Sequence, residues 1–594
     1  MKKFTMLSSV LASALMMTVV SCSSSDDITG GNGSGNAEGT TSYIAINLNS
    51  VGNAPTSRAS YDQGGGTYDD GENKENNITK VRFYFYNVDG TSYKLQTAGE
   101  NGEKSSKNYI DYNVNLGEGN HNTTVSGTTS AVLVLNGESN VAPASMLTVV
   151  NPGVNTEMLD GTTANRWSTM RTEMKGTKFY DETNGFIMSN STYEDGGKDL
   201  CTTYLTGKTF SSADEATNNP VEVFVERVNA KVKTTVGGAN FVQENTNVEL
   251  DGVNFNGKYK TKDPVGKLTT IQSDGSSKET EVYAYIEGWG LGDENGQAML
   301  YKQIDVQNWT DATLGFTATN PWSVAAYHRC FWGKSIAFGG TSTNSPVNYP
   351  YNHINAEFGK ALYTLPNTPT SYGEEYADPM KSNFTKIMVA ARLAYTDGGK
   401  VLPAEICTYK GQKFLGKDNV KKVIASELNS YYKKITSTTP GGEDTYTQIA
   451  ASDIDFSSSA SVQNYQVVAV LGLNELYQKK GGVFVKLEAQ DLAKVKAEIQ
   501  QVPVDISNGG RTYYYTPIKH LGKKNYPAEY GVVRNHSYQV EISSIKGFGT
   551  PVYDPDKVTI IPTLPSDDLT YLAAKISVLS WRVVSDKVNL DKTE

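Results

Sequence analysis

The chain has 594 residues, of which 54 are Lys or Arg and 64 are Asp or Glu, so its formal net charge is −10. This acidic balance argues against nucleic acid as a partner, because phosphate backbones attract basic surfaces. Beyond the amino-terminal leader about 550 residues remain, too many for one hydrophobic core, so at least two domains are expected.

The first predicted element is a secretion signal. A basic start precedes a run of apolar and small residues from Met6 to Val20. This run is shorter than the roughly 20 residues that cross a bilayer. It ends in a small residue directly before Cys22, which resembles a bacterial lipobox. That resemblance implies removal of residues 1–21 and acylation of Cys22, for example by palmitate. The alternative is an ordinary secretion signal with an incidental cysteine.

A tether and a first strand follow the signal. Residues 23–40 are rich in Ser, Gly and Asn, a composition that cannot bury a core and predicts a flexible linker. From Thr41 to Leu48 apolar and other residues alternate, which predicts a strand. Its apolar face carries Ile44, Ile46 and Leu48.

Further strands are predicted along the rest of the chain, separated by turns rich in Gly, Asn and Asp. The stretch 221–236 is either one long strand or two strands joined by a bend. The predicted strands are Ile78–Val88, Ala131–Leu135, Met146–Val150, Phe186–Met188, Val221–Val236, Val282–Leu291, Ile387–Tyr395, Val467–Leu473, Val483–Leu487 and Tyr538–Ile545.

Three segments have helical spacing of their apolar residues instead. The first lies within Asn155–Lys175, where Trp167, Met170 and Met174 share a stripe. The other two are Asn419–Ile435 and Asp491–Gln500, the latter with its first residue as the predicted N-cap.

The carboxyl-terminal residues read as two strands, Leu572–Val578 and Trp581–Leu590. The apolar positions change face between them, which predicts a bulge or a bend. Helices and strands do not alternate along the chain, so the sequence does not suggest a parallel sheet. The predicted class is therefore mainly β, with two β-sandwich domains, residues 59–237 and 238–594, and a few inserted helices.

The sequence offers little support for catalysis. Residues 333–335 (Gly-Lys-Ser) resemble the end of a phosphate-binding loop, but His328 occupies the position where that loop requires a glycine. Cys201, Cys330 and Cys407 are widely spaced and lack a Cys-x-x-Cys pair. We therefore expect no enzyme, no cofactor and no metal, although a pair of glycosidase carboxylates stays open because its geometry is three-dimensional.

Several stretches stand out when they are taken in order behind the lipobox. They are residues 71–85, 186–190, 225–232, 288–291, 329–335, 533–540 and 574–584. Together they resemble the type V pilins, or fimbrillins, and most closely the shaft fimbrillins of minor fimbriae with their characteristic C-terminal domain. The resemblance covers most of the chain after residue 41 and implies transthyretin-like sandwiches.

The resemblance also implies a mechanism of assembly. In this family an arginine-specific protease cuts the precursor after its first strand, and the C-terminal strand of another subunit fills the groove that is left. Carried onto this sequence, the cut falls between Arg58 and Ala59, so residues 22–58 form the propeptide and residues 41–49 form the leaving strand. The donor segment lies within residues 572–590, in a tail of about residues 566–594. Its predicted residues are Ile576, Val578, Trp581 and Val583.

We thus expect a shaft subunit of a cell-surface fimbria that supports adhesion. Its expected partners are identical subunits in a head-to-tail polymer, accessory and anchor subunits, and the outer membrane through the lipid of the precursor; surface receptors on a host or another bacterium stay open. One alternative is an accessory or tip adhesin of the same fimbria. Another is a surface glycan-binding lipoprotein that does not polymerise, for which the 36 tyrosines would supply stacking surfaces.

Overall fold

The computed structural model describes the greater part of the chain, within one compact unit, Gly39–Glu594. The described residues are 41–50, 68–69, 75, 78–98, 104–113, 129–136, 141–152, 171–173, 180–181, 185–190, 193–195, 198–200, 203–303, 333, 335–336, 345–368, 383–458, 466–520, 529–552 and 571–581.

Strands dominate the first part of the chain, and one short helix, α1 (Ala213–Asn218), precedes the last of them. The strands are β1 (Thr41–Ser50), β2 (Tyr68–Asp69), β3 (Lys80–Tyr86), β4 (Leu95–Ala98), β5 (Lys104–Lys107), β6 (Tyr109–Asn113), β7 (Thr129–Asn136), β8 (Ser145–Val150), β9 (Arg171–Glu173), β10 (Tyr180–Asp181), β11 (Gly185–Phe186), β12 (Met188–Asn190), β13 (Tyr193–Asp195), β14 (Lys198–Leu200), β15 (Thr203–Tyr204) and β16 (Val221–Arg227).

The second part is also mainly β, with helices α2 (Lys417–Glu427) and α3 (Ala489–Gln500) and short 3-10 turns at Tyr351–His353, Ala451–Asp453 and Asn508–Gly510. Its strands are β17 (Ala230–Val236), β18 (Phe241–Gln243), β19 (Glu249–Leu250), β20 (Val253–Asn254), β21 (Tyr259–Thr261), β22 (Gly266–Ile271), β23 (Ser277–Gly292), β24 (Gln297–Met299), β25 (Lys302–Gln303), β26 (Ala361–Thr364), β27 (Lys386–Asp397), β28 (Lys400–Pro403), β29 (Ile406–Tyr409), β30 (Gln412–Leu415), β31 (Tyr431–Ile435), β32 (Thr445–Gln448), β33 (Ile454–Ser457), β34 (Gln466–Leu471), β35 (Tyr477–Lys480), β36 (Val483–Lys486), β37 (Val504–Ser507), β38 (Arg511–Pro517), β39 (His536–Lys546), β40 (Thr550–Pro551) and β41 (Tyr571–Trp581).

The first sheet has the strand order β6-β3-β8-β12-β16-β1-β7, and β15 extends it beside β8. One hydrophobic core lies against it. Strand β3 is buried on both faces, since Phe83 and Phe85 on one side and Tyr84 and Tyr86 on the other are at most 2% exposed. This sheet contains β1, the strand that is expected to leave after cleavage.

Two further sheets pack face to face around a second core. One has the order β2-β41-β39-β17-β26, and the other is a larger sheet that runs through β22, β23, β27 and β38. Side chains of both sheets meet in this core, which is the arrangement of a β-sandwich. They include Val232 and Val540 from the first of these sheets and Ile286 and Val389 from the second.

A third core surrounds the two longer helices. Val420 and Ile424 on α2, and Val495 and Ile499 on α3, pack against strands of the 407–506 region. Along this part of the chain, Val228 packs in the first core and Ala230 packs in the second core. The predicted domain limit at residue 237 stays a prediction.

Some strand pairs are parallel, although the sequence contains no helix–strand alternation that would suggest a parallel sheet. Strand β1 runs parallel to β16, and β17 runs parallel to β39 over six residue pairs. The partners in each case are far apart in sequence. Long connections can therefore return a strand in the same direction without helix–strand alternation.

The helix expected over residues 419–435 is wrong in its second half. Helix α2 ends at Glu427 with Leu428 as its C-cap, and Tyr431–Ile435 forms strand β31. That strand hydrogen-bonds to both β32 and β35, and these pairings outweigh the helical spacing of its apolar residues.

Three other boundaries also differ. Helix α3 starts at Ala489 with Glu488 as its N-cap, which is three residues before the predicted cap Asp491. Residues 171–173, expected within a helix, form strand β9 and pair with β24. The tail is one strand through residue 581, and the register shift lies in its partner β39, between Ile542 and Ser544.

In the described part of the chain no helix is both long and apolar enough to cross a bilayer.

Candidate assembly site

The predicted leaving strand lies inside the first sheet. Strand β1 pairs antiparallel with β7 over eight residue pairs and parallel with β16 over five. Ile44 and Ile46 are buried in the first core, at 0% and 1% exposure. The side chain of Leu48 lies outside the described residues, while its backbone position faces Val223 and Thr129 in register. Removing this strand would open a slot between β7 and β16.

Strand β7 depends on β1 for its place in the sheet. It stands at the end of the described strand order, with β1 as its neighbour. Loss of β1 would therefore leave two strand edges with unpaired backbone groups and an apolar slot beneath them. Such edges are templates for another strand.

The predicted lipidation and cleavage residues lie outside the described residues. These are Cys22, Arg58 and Ala59. The described chain resumes after β1 with β2, which pairs in parallel with Ser580 and Trp581 at the end of β41.

The predicted donor residues fall on the last described strand. Strand β41 pairs with β39 over ten residue pairs, with Ile576 opposite Val540 and Val578 opposite Tyr538. Both partners on β39 are at most 1% exposed. On its other edge β41 pairs only at residues 580–581 within the described structure. Trp581 ends the strand, and Val583 lies outside the described residues.

A buried ion pair joins the two halves of the molecule beside these strands. The guanidinium of Arg534 lies 3.2 Å from the Oε1 atom of Glu226, and both side chains are at most 5% exposed. Arg534 also donates hydrogen bonds to Ser189 Oγ at 2.6 Å and to the carbonyl of Leu300 at 3.1 Å. One cation thus ties strands of the first sheet to β39.

A second buried charge fixes the chain that follows the predicted cleavage site. Glu75 is fully buried and lies 3.0 Å from the Nζ atom of Lys231, while the hydroxyl of Tyr363 donates to the same carboxylate. Arg227 Nε donates to the Glu75 carbonyl at 2.9 Å. Residues retained after a cut at Arg58 would therefore stay fastened to the body at this point.

Sequence reasoning did not assign these charged residues a role. Glu226, Arg227 and Lys231 lie within the 225–232 stretch, and Arg534 lies within the 533–540 stretch, that carried the resemblance. The available signal was the presence of charges in otherwise apolar strands. Such charges require a buried partner, but local spacing does not name it.

The described residues contain no group of three His, Cys, Asp or Glu side chains suited to a metal ion. Gly288 and Gly290 lie in strand β23, where a Cβ on Gly288 would come within 2.8 Å of the backbone of Asn355. Close approach of two chain segments explains that glycine.

The comparisons with known proteins agree with the predicted family. Residues 508–587 match the family model described as major fimbrial subunit protein type IV, fimbrillin, C-terminal. This match contains β38, β39 and β41, the strands around the predicted donor. No curated protein matches the sequence.

Three solved structures align with this chain at TM-scores below 0.5. One is a proposed cell adhesion protein from Bacteroides eggerthii, with 10% identity over 92% of this chain and 98% of that chain, at a TM-score of 0.34. Another is the tip fimbrial protein Mfa3 from Porphyromonas gingivalis with a C-terminal truncation; it is 10% identical over 91% of this chain and 100% of that chain, at a TM-score of 0.29. The third is a fimbrial assembly protein from Parabacteroides distasonis; it is 11% identical over 68% of this chain and 99% of that chain, at a TM-score of 0.22. These scores carry no functional argument.

The chain is mainly β, and its residues 508–587 match the C-terminal region of a fimbrial subunit.

Proposed function

We propose that this chain is a shaft subunit of a bacterial surface fimbria and supports adhesion as part of that fibre. The precursor is exported as a lipoprotein through Cys22 and is held in the outer membrane. It is then cut between Arg58 and Ala59, and each released subunit accepts a C-terminal strand from the next. The observation that carries the proposal is the placement of β1 between two strands that it alone connects. The role is structural rather than catalytic.

The groove left by β1 has the physical properties that strand insertion needs. A donor of about ten residues forms about eight to ten backbone hydrogen bonds at roughly 1 kcal/mol net each. The buried positions of Ile44 and Ile46 each offer a site for an apolar side chain, worth about 1.5–3 kcal/mol. Ordering the donor offsets part of this gain. The balance still favours a long-lived joint.

Head-to-tail insertion also accounts for a fibre. The acceptor groove belongs to the first sheet, and the donor belongs to the other end of the chain. Two different surfaces therefore meet in each joint. Because such a contact does not close on itself, repeated insertion produces a filament.

Two segments compete for the role of donor. Strand β41, with Ile576 and Val578, would have to leave its ten-pair ladder with β39. The chain after Trp581, which includes Val583, would not. Two truncations separate them. Deleting residues 582–594 abolishes polymerisation only if the second segment is the donor, whereas deleting residues 571–594 abolishes it in either case.

The test of the mechanism is a reversible lock on β1. Ala45 and Val132 are register partners on β1 and β7, so a disulfide between cysteines at these positions would hold the strand in place. We expect the Ala45→Cys/Val132→Cys precursor, cut after Arg58, to form no SDS-resistant ladder until a reductant is added. Each single-cysteine variant is the matched control and should polymerise at once.

A locked precursor that polymerises without reduction would contradict the proposal, because the groove would still be filled. A different result is that the unmodified cut precursor assembles while the locked form, the reduced form and the single-cysteine controls all fail equally. That result would show that the substitutions disturb assembly by a route other than the lock on β1.

A further inference from the structure

Exposed apolar side chains gather at one end of the first sheet. Val88, Val141 and Tyr204 are 92%, 70% and 60% exposed. Val88 follows β3, Val141 precedes β8 and Tyr204 ends β15, and these three segments hydrogen-bond to one another: the Ala144 N–H donates to the Tyr86 carbonyl, and the Leu205 N–H donates to the Ala144 carbonyl, both at 2.9 Å. We call Val88, Val141 and Tyr204 the pole patch. Contiguous exposed apolar residues are typical of interaction sites.

The pole patch adjoins the entrance of the groove. Strand β1 begins at the same end of the sheet, where the Tyr43 N–H donates to the Phe210 carbonyl at 2.8 Å and the Phe210 N–H donates back at 2.9 Å. The segment from Tyr204 to Phe210 thus connects the patch to the start of β1. The first residue of β1, Thr41, therefore lies at this end of the sheet.

The neighbouring strands favour one direction for an inserted strand. The ladder between β1 and β7 is antiparallel and has eight pairs, whereas the ladder with β16 is parallel and has five. A donor that runs in the direction of β1 retains the longer antiparallel ladder, which is slightly more stable per residue than a parallel one. The chain that precedes such a donor enters the groove at the pole patch.

We propose that the pole patch is a docking surface for a second copy of this chain, the copy whose strand fills the groove, and that this strand runs in the direction of β1. The inference rests on the proposed function. Cleavage releases the tether from this end of the sheet, and the donor copy brings its own chain to the same place. The patch then adds a second apolar contact beside the inserted strand.

The first test separates docking from strand insertion. We compare full-length chains cut after Arg58 that carry Val88→Asp with Tyr204→Asp, or Val242→Asp as the control. Val242 is 39% exposed and lies on β18 in the second half of the chain. We expect the double variant to form SDS-resistant ladders at least about tenfold more slowly, because two charges replace apolar contacts, and we expect the control to match the wild type.

A fluorescent peptide of residues 566–594 reports on the groove alone. It should bind the cut double variant as it binds the cut wild type, because the peptide brings no second body to dock. Unchanged ladder formation in the double variant would overturn the pole patch while leaving strand insertion intact. Loss of peptide binding would also overturn it, because the substitutions would then have damaged the groove.

The membrane is the competing occupant, since the tether ends at the same place. If the lipidated precursor with the double substitution lost binding to phosphatidylethanolamine vesicles but assembled at the wild-type rate after cleavage, the patch would face lipid and the proposal would be wrong. Failure of the unmodified cut chain to assemble would instead refute the proposed function itself.

The direction of insertion has its own readout. A photo-crosslinker at the amino-terminal end of the same peptide should attach to residues 203–210, next to the start of β1. Attachment near Val225, which pairs with Ser50 at the other end of β1, would show the reverse direction and overturn that part of the inference.

Discussion

Glu294 is a buried acid whose ionisation should make the protein less stable as the pH rises. Its backbone N–H and C=O pair with Val347, and the residue is only 5% exposed. Burial raises the pKa of its carboxyl group from 4.5 to about 7, and a hydrogen bond from Thr364 opposes part of that increase. The folded protein therefore binds this proton more tightly than the unfolded chain does.

The size of the effect follows from the two pKa values. The difference between about 7 and 4.5, at 1.36 kcal/mol per unit, amounts to about 3 kcal/mol. Because the folded pKa is the higher one, this stability is fully present below pH 4.5 and is lost as the pH rises through about 7. Glu294→Gln stays neutral throughout, so it should be more stable than the wild type by up to about 3 kcal/mol at pH 8, and by less than about 1 kcal/mol at pH 5.

The assay is urea denaturation at several pH values, read by hydrogen exchange and mass spectrometry on peptides that contain residue 294. Local peptides are needed because a chain with several hydrophobic cores need not unfold in a single step. Glu249→Gln is the control, since Glu249 is exposed on β19. A gain for Glu294→Gln that does not change with pH, or a loss at pH 8, would refute the reasoning.

Three further outcomes are expected. Arg534→Met should destabilise the protein by about 3–5 kcal/mol in urea denaturation because Glu226 is left without its cation, and adding Glu226→Gln should recover much of the loss; simple additivity would contradict a buried pair. Gly288→Ala should cost about 1–3 kcal/mol. Gly290→Ala, whose Cβ would find its nearest neighbour at 3.4 Å, should cost less, and equal losses would argue against close approach. The thiol of Cys407 is buried, and that burial raises its pKa well above the usual range. It should therefore react with a thiol reagent only after unfolding, and rapid labelling of the native protein would contradict its burial.

Local patterns predicted the strands well because strand periodicity is itself local. The alternation around Ile44 and Ile46 predicted β1 to within two residues at its carboxyl end. The stretch 221–236, left open as one strand or two, is two strands that separate at Val228 and Asn229 and enter different sheets. The sequence left the break open, and it did not show that the break divides the first core from the second.

Features that depend on distant partners were beyond the same reasoning. Residues 431–435 have helical spacing, yet they form a strand because β32 and β35 offer backbone partners. Arg534 and Glu226 lie 308 residues apart, so no spacing rule could pair them. The candidate groove was expected from the family resemblance, with which the apolar face of β1 agrees, whereas the ion pairs of Glu226 and Glu75 became visible only in the folded chain.

Cleavage-gated assembly is the central claim, and one gel tests it most directly. The form starting at Ala59 and the uncut precursor starting at Ser23 are incubated at equal concentration and compared for SDS-resistant ladders. The account predicts ladders from the Ala59 form alone, because only that form lacks β1. Ladders from both forms, or from neither when the precursor also resists an arginine-specific protease, would contradict it.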